Sequence, residues 1–155
     1  MGQELRRQRG LLIDEAITLY HQGRPVPDIE DPDIAKIFEL YKADFGNDNV
    51  HQVQLSCSCS INGHRYIGRA DQIRKTPKGL AVFEIKYSGL QPYDCVDKAL
   101  LQLIFYAYCL DVRIGGVINV KNYLNDKPVH HIIDAPCPTA KQMKGIDYIL
   151  NGREL

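Results

Sequence analysis

The four residues Thr76-Pro77-Lys78-Gly79 constrain this chain more than any others. Proline second and glycine fourth is a turn signal, because proline presets one backbone dihedral and glycine tolerates the geometry that closes the turn. On either side, Arg65 to Ile73 and Leu80 to Tyr87 are rich in Ile, Val, Phe and Tyr and read as strands. A hairpin folded symmetrically about Pro77-Lys78 sets Asp71 roughly opposite Glu84. Like charges directly across a ladder destabilise it. A divalent cation between them removes the conflict. Mg²⁺ suits the place, since it takes oxygen ligands from one or two carboxylates together with water and phosphate. Glu84 and Lys86 are two residues apart and share a strand face, so Lys86 points at the same spot.

The next segment, Asp94 to Leu110, reads as a helix. Pro92 precedes it, Asp94 suits the N-cap and Asp97 the first turn. Val96, Leu100, Leu103, Ile104 and Ala107 form its apolar stripe, and Lys98, Gln102 and Tyr106 form a polar line at four-residue spacing. Three short signatures therefore stand in order: Gly68-Arg69-Ala70-Asp71, then Glu84-Ile85-Lys86, then Gln102 with Tyr106. Each has a plain structural reading alone. Gly68 marks a bulge or a close backbone approach, Glu84-Ile85-Lys86 is a solvated strand face, and Tyr106 packs in a core. In combination they describe a phosphodiesterase site, with Gln102 and Tyr106 touching the phosphate backbone or orienting Lys86.

The rest of the chain frames that centre. Gln3 to about His21 is a first helix, broken by Gly23-Arg24-Pro25-Val26-Pro27, and Asp31-Pro32-Asp33 opens a second that reaches about Phe45. His51 to Ser60 is a strand joined to the next by an Asn62-Gly63 hairpin turn. After the crossover helix come a buried strand, Ile114 to Val120, and an edge strand, Val129 to Ile133. Thr139 caps a last helix that Asn151-Gly152 closes. The expected architecture is one α/β domain over 1–155. Its mixed central sheet, a three-strand antiparallel meander, crossover helix and further strand, is flanked by helices. It divides into an N-terminal helical segment (1–46), a core (50–134) and a C-terminal helix (139–151).

Composition narrows the class. At 45% hydrophobic and 25% charged the chain is typical of globular proteins. No apolar run approaches a membrane span, and the first residues lack a signal-peptide or myristoylation pattern, which leads to the expectation of a cytoplasmic protein without membrane contact. Nineteen basic and 19 acidic residues cancel, which excludes a strongly basic coat on nucleic acid. Local basic character remains at Arg6, Arg7 and Arg9 and at Arg65, Arg69, Arg74, Lys75 and Lys78, either as solvated faces or as phosphate contacts. Five cysteines without a Cys-x-x-Cys fit a reduced setting. The alternation of Val53 to Cys59 puts Cys57 and Cys59 on an apolar strand face as free thiols. His21 ends the first helix, where a positive charge suits the dipole, and His130-His131 sits on an edge strand in a structural or solvated role.

These residues resemble the PD-(D/E)xK nuclease superfamily, in its RecB-like and phage-type exonuclease branch. That branch carries a Gly-x-x-Asp, a Glu/Asp-x-Lys and a Gln-x-x-x-Tyr, matched here by Gly68/Asp71, Glu84/Lys86 and Gln102/Tyr106. It also carries an upstream helix with an Arg-Gly-x-x-Val/Ile-His-Glu-Ala pattern. Here Arg9-Gly10-Leu11-Leu12-Ile13-Asp14-Glu15-Ala16 matches the frame, with Asp14 where the branch usually has a metal-binding histidine. Many relatives have a glutamate near the place of Gln54.

The resemblance implies a restriction-endonuclease-like core and a Mg²⁺- or Mn²⁺-dependent DNA nuclease with one or two ions. Asp71, Glu84 and Lys86 would be catalytic. Asp14, Asp71, Glu84 and the Ile85 backbone carbonyl would hold metal, and Gln102, Tyr106, Arg69 and Lys98 would contact DNA or support the site. Aspartate is a hard oxygen donor for such ions, though the exchange at Asp14 also fits an altered metal preference or a lost activity. Some relatives hold an iron–sulfur cluster through a cysteine triplet that Cys95, Cys109 and Cys137 do not reproduce, which argues against one here.

The implied partner is linear double- or single-stranded DNA, in recombination, repair or the processing of a viral or phage genome (then in the host cytoplasm). A helicase or recombination protein acting in trans and a homo-oligomer are compatible with it. Two alternatives stay open: a structure-specific endonuclease of the same fold, and a non-catalytic nucleic-acid-binding module.

Overall fold

The structure, a computed structural model, describes residues 2–89 and 92–151, and for 92–98 the backbone alone. The elements run α1 (Gln3–His21), α2 (Pro32–Phe45), β1 (Val50–Ile61), β2 (His64–Thr76), β3 (Gly79–Lys86), α3 (Pro92–Leu110), β4 (Arg113–Asn119), a 3₁₀ helix (Val120–Leu124), β5 (His130–Ala135) and α4 (Ala140–Leu150). The strands form one sheet in sequence order. β1, β2 and β3 are an antiparallel meander, α3 crosses over to β4, which lies parallel to β3, and β5 returns antiparallel at the far edge. The expected α/β architecture with a mixed sheet flanked by helices is present.

The turns follow from their residues. Asn62 and Gly63 both have positive φ, 52° and 82°, as a two-residue hairpin turn requires. At the second hairpin Thr76 pairs with Gly79, and the register runs inward through Lys75–Leu80, Arg74–Ala81 and Ile73–Val82 to Gln72–Phe83. This is the symmetric register read from the sequence.

β3 is buried without a break from Ala81 to Ile85, as a strand covered on both faces should be. Ala81, Phe83 and Ile85 pack with Ile13, Ile17, Ile34 and Ile37 of α1 and α2. Val82 packs with Ile73, Leu103 and Ala107 on the α3 side. Glu84 is the one charged residue in that buried run.

Helix ends are chemically specified. The Asp31 side chain caps α2, accepting from the N–H groups of Asp33 and Ile34, and also accepts from Arg9 Nε at 2.8 Å, which ties α1 to α2. Thr139 and Gln142 form a reciprocal capping box at α4. Gly152, expected to close that helix, lies outside the described residues.

Several expectations are corrected. α3 opens at Pro92 itself, so Asp94 falls inside the helix instead of capping it, and the side chains of Asp94, Asp97 and Lys98 lie outside the described residues. β5 starts one residue later than expected and runs two further, and a 3₁₀ helix fills part of the connection from β4. Cys59 is joined to Cys109 in a disulfide linking β1 to α3, so the reading as a free thiol holds for Cys57 alone of that pair.

Of two polar residues read as surface or helix-end features, Arg74 is buried and His21 partly so. Arg74 is 6% exposed and donates to Gln72, to the Tyr41 hydroxyl and to the Phe45 carbonyl. His21 does not offer a charge to the end of α1. Burial lowers its pKa, and its ring nitrogens meet Tyr41 Oη and Asn47 Oδ1. Among the described residues no helix is long and apolar enough to cross a membrane.

Candidate functional site

The hairpin register carries Asp71 and Glu84 to adjacent positions just past the last regular pair, Gln72–Phe83. There the ladder gives way to side-chain bonding. Asp71 Oδ2 accepts from the Ile85 N–H at 2.8 Å, and the two carboxyls share a hydrogen bond. Glu84 is 5% exposed, and its Oε1 is buried with no hydrogen-bond partner. Lys86 Nζ lies 3.8 Å from Glu84 Oε2 and donates to Gln102 Oε1 at 3.3 Å. Consecutive same-face positions of β3 thus meet the middle of α3.

The electrostatics reflect crowded carboxylates. Burial, then the charge of Asp71, pushes Glu84 up to about 8, with Lys86 opposing. Burial also raises Asp71, against the opposing Ile85 N–H. One proton is therefore shared by the pair at neutral pH. Asp14, on α1, is pushed up to about 6, first by burial and then by Asp71, with Arg69 and Lys86 opposing. α1 reaches this spot because Ile13, Ala16 and Ile17 are buried against the sheet, and Tyr87, the residue after Lys86, lies beside Gly10.

Gly68 and Tyr106 are coupled sterically. A Cβ on Gly68 would stand 2.4 Å from Tyr106 Cε1, so only glycine lets the ring lie across β2. The Tyr106 hydroxyl is held by the Arg69 backbone N–H, and burial followed by the nearby Glu84 and Asp71 raises its pKa. The Arg69 side chain is exposed, and its charge acts on Asp14. The structure therefore brings together Asp14, Asp71, Glu84, Lys86, Gln102 and Tyr106, while the side chain of Lys98 lies outside the described residues.

Two further residues complete the surroundings: Gln54, noted in the sequence only by the resemblance, and Asn119, which had no signal of its own. Gln54 lies across from Asp71, between the pairs Val53–Gln72 and Leu55–Ala70, and has φ +51°, which is uncommon for a residue with a side chain. Its amide donates to Thr18 Oγ1 at 3.3 Å and to Asp71. Asn119, fully buried at the end of β4, exchanges two 3.0 Å hydrogen bonds with the Ser88 backbone and fixes the chain just beyond Lys86.

The donor set fits a divalent cation. Asp71 and Glu84 meet, the charge of Asp71 reaches Asp14, and a buried Glu84 oxygen lacks any donor. Among the described residues no three His, Cys, Asp or Glu side chains are gathered into a ready cage. Asp71 and Glu84 are in contact, while Asp14 acts from α1 through its charge. No protein-family model matches the chain, and no curated protein matches it.

Proposed function

We propose that this chain is a Mg²⁺- or Mn²⁺-dependent deoxyribonuclease on a restriction-endonuclease-like core, hydrolysing phosphodiester bonds as an exonuclease. The observation that carries the reading is the contact of Asp71 with Glu84 across the β2–β3 hairpin, with Lys86 on the same face and bonded to Gln102. Asp71, Glu84 and Asp14, with the Ile85 carbonyl, would hold the cation, which supplies Lewis acidity and a water of lowered pKa.

The protein's own groups account for the remaining chemistry. Asp71 and Glu84 would hold the cation as carboxylates, so that binding would release to solvent the proton that burial favours on Glu84. Lys86, kept near Glu84 and Gln102, offers a fixed positive charge where charge builds on the reacting phosphate, the kind of preorganised stabilisation that dominates many such reactions. Gln54 and the Ile85 N–H hydrogen-bond Asp71 and oppose the rise that burial imposes on it. Tyr106, seated on Gly68, fixes how β2 meets α3.

The test is nucleotide release from linear double-stranded DNA with Mg²⁺, with Mn²⁺ and with EDTA, using Lys86→Ala beside the wild type. Metal-dependent release lost in the variant supports the reading. No release with either metal from folded protein overturns it. Closed circular DNA in the same assay separates the exonuclease from a structure-specific endonuclease. A second reading, a nucleic-acid-binding module without turnover, is favoured by Asp14 and Gln54, which stand where the resembled branch usually has a metal-binding histidine and a glutamate. It predicts DNA binding with no metal-dependent release.

A further inference from the structure

A cleft of about 270 Å³ opens beside the carboxylate site, between β2 and α3. Gly68, Gln102 and Tyr106 line it, Gln102 on the side of Lys86, and Tyr66 in its wall stacks on Phe105 with ring centroids 4.4 Å apart. Ile67 and Leu101 are exposed at its lip, Ile67 by 76%. Among the described residues no charged side chain lines it. The disulfide between Cys59 and Cys109 fastens α3 to β1 along the same wall.

The described lining offers no cation, and a phosphate calls for cations or backbone N–H groups. Aromatic walls and aliphatic lips suit a flat, largely apolar ring. The volume is below the roughly 300–1,000 Å³ of sites for drug-sized ligands, so it suits one ring system and not a base pair. Gln102 belongs to both places: it lines the cleft and accepts from Lys86. A phosphate at Lys86 therefore has its neighbouring nucleoside at the mouth of the cleft.

We propose that this cleft takes one unstacked nucleobase, from the nucleotide adjoining the phosphate at Lys86. The proposal rests on the reading of the carboxylate site as a phosphodiesterase and adds a substrate class: a single-stranded or frayed segment. A base inside a duplex must first leave its stack, at a cost of a few kcal/mol. Stacking on an aromatic side chain tolerates any base, so the cleft selects for strandedness and not for sequence.

The experiment measures, by fluorescence anisotropy in EDTA, the binding of a short labelled single strand to the wild type. The same strand is then tested with one abasic site moved through each position. One abasic position should weaken binding about ten-fold, in the range of base–aromatic stacking. Leu101→Asp, at the exposed lip, should remove that difference, with thermal unfolding confirming that the variant is folded, and Ile67→Asp should repeat the result.

Equal affinity for every abasic strand, no binding at all, or an unchanged difference in both lip variants would overturn the proposal. Cleavage assayed separately with Mg²⁺ keeps the two readings distinguishable. Base discrimination without cleavage removes the nuclease and leaves the cleft. Cleavage without base discrimination removes the cleft alone.

Discussion

Asp147 and Glu84 are both acidic side chains shut away from solvent, and their surroundings treat them in opposite ways. Asp147, on α4, accepts from His64 Nδ1 at 2.8 Å, from Asn62 and Asn151 amides at 3.0 Å and from the Tyr66 hydroxyl. Those donors hold its carboxyl below the ordinary aspartate value and fasten α4 to the first hairpin. Glu84 has Lys86 at 3.8 Å, a carboxyl neighbour and an oxygen with no partner, and it is pushed up to about 8. A satisfied buried carboxylate stabilises a fold. An unsatisfied one costs stability unless something else completes it, and that difference is why we propose the second cluster as the functional one.

The comparison breaks most visibly at Lys86. Lys86→Ala removes the cation 3.8 Å from Glu84 and should lower nuclease activity at least about 100-fold, the usual scale for losing a preorganised electrostatic group. Thermal unfolding should hardly move, because Lys86 is half-exposed and its ion pair with Glu84 is long. A large loss of stability with activity retained would assign Lys86 to the fold and leave the site without its cation.

Asp147→Asn is the mirror experiment, with loss of stability and retained cleavage. An amide cannot accept from four donors, so buried N–H and O–H groups lose partners and the midpoint temperature should fall by several degrees. The pH dependence has a fixed sign. Because the folded pKa is depressed, the contribution of Asp147 is complete above about pH 4, the ordinary aspartate value, and is lost as pH falls further through the folded pKa. Thermal unfolding followed by circular dichroism from pH 7 down to pH 3 should show a steeper acid loss in wild type than in Asp147→Asn. Equal slopes would mean that the four donors do not favour the charged form.

These two clusters were not equally legible in the sequence. Asp71, Glu84 and Lys86 are fixed by one local turn, and a symmetric hairpin leaves few registers, so their meeting follows from short-range chemistry. Gln102 and Tyr106 follow from helical spacing once α3 crosses the sheet. The Asp147 knot joins residues more than eighty positions apart, and no periodicity encodes it. Arg74 looks the same in a sequence whether it meets solvent or Tyr41; only the packing of α2 over the even positions of β2 decides. Gln54 escapes for a different reason: its positive φ is imposed by the strand around it and not by its own preference.

Gly68→Ala probes the contact between β2 and α3 with a smaller change. The added methyl would overlap the Tyr106 ring, and because the neighbouring Arg69 N–H holds the hydroxyl, the ring cannot simply swing away. Overpacking of this kind costs about 1–3 kcal/mol. Loss of activity should accompany it, since Tyr106 and Gln102 share one helix face. The pair Gly68→Ala and Tyr106→Leu should recover stability by freeing the space and still lack activity. A double variant no more stable than Gly68→Ala would show that the strain lies elsewhere.

The smallest effect is also the most diagnostic, because its sign depends on the cation. In EDTA, Glu84 is protonated in the folded chain up to about pH 8 and ionises near 4.5 when unfolded. The folded state thus binds more protons across that window, and stability should fall as pH rises from about 4.5 to about 8. Glu84→Gln keeps the shape and removes the charge. It should flatten that slope and be more stable than wild type at pH 8 by about 1 kcal/mol, a modest discount on the usual cost of a poorly partnered buried group. With Mg²⁺ the order should reverse, since a cation that binds only the folded wild type stabilises it by linkage and has less to hold in the variant. If Glu84→Gln is the more stable protein with and without Mg²⁺, Glu84 does not hold the cation, and its exposure to an unpartnered, low-dielectric position must have another cause.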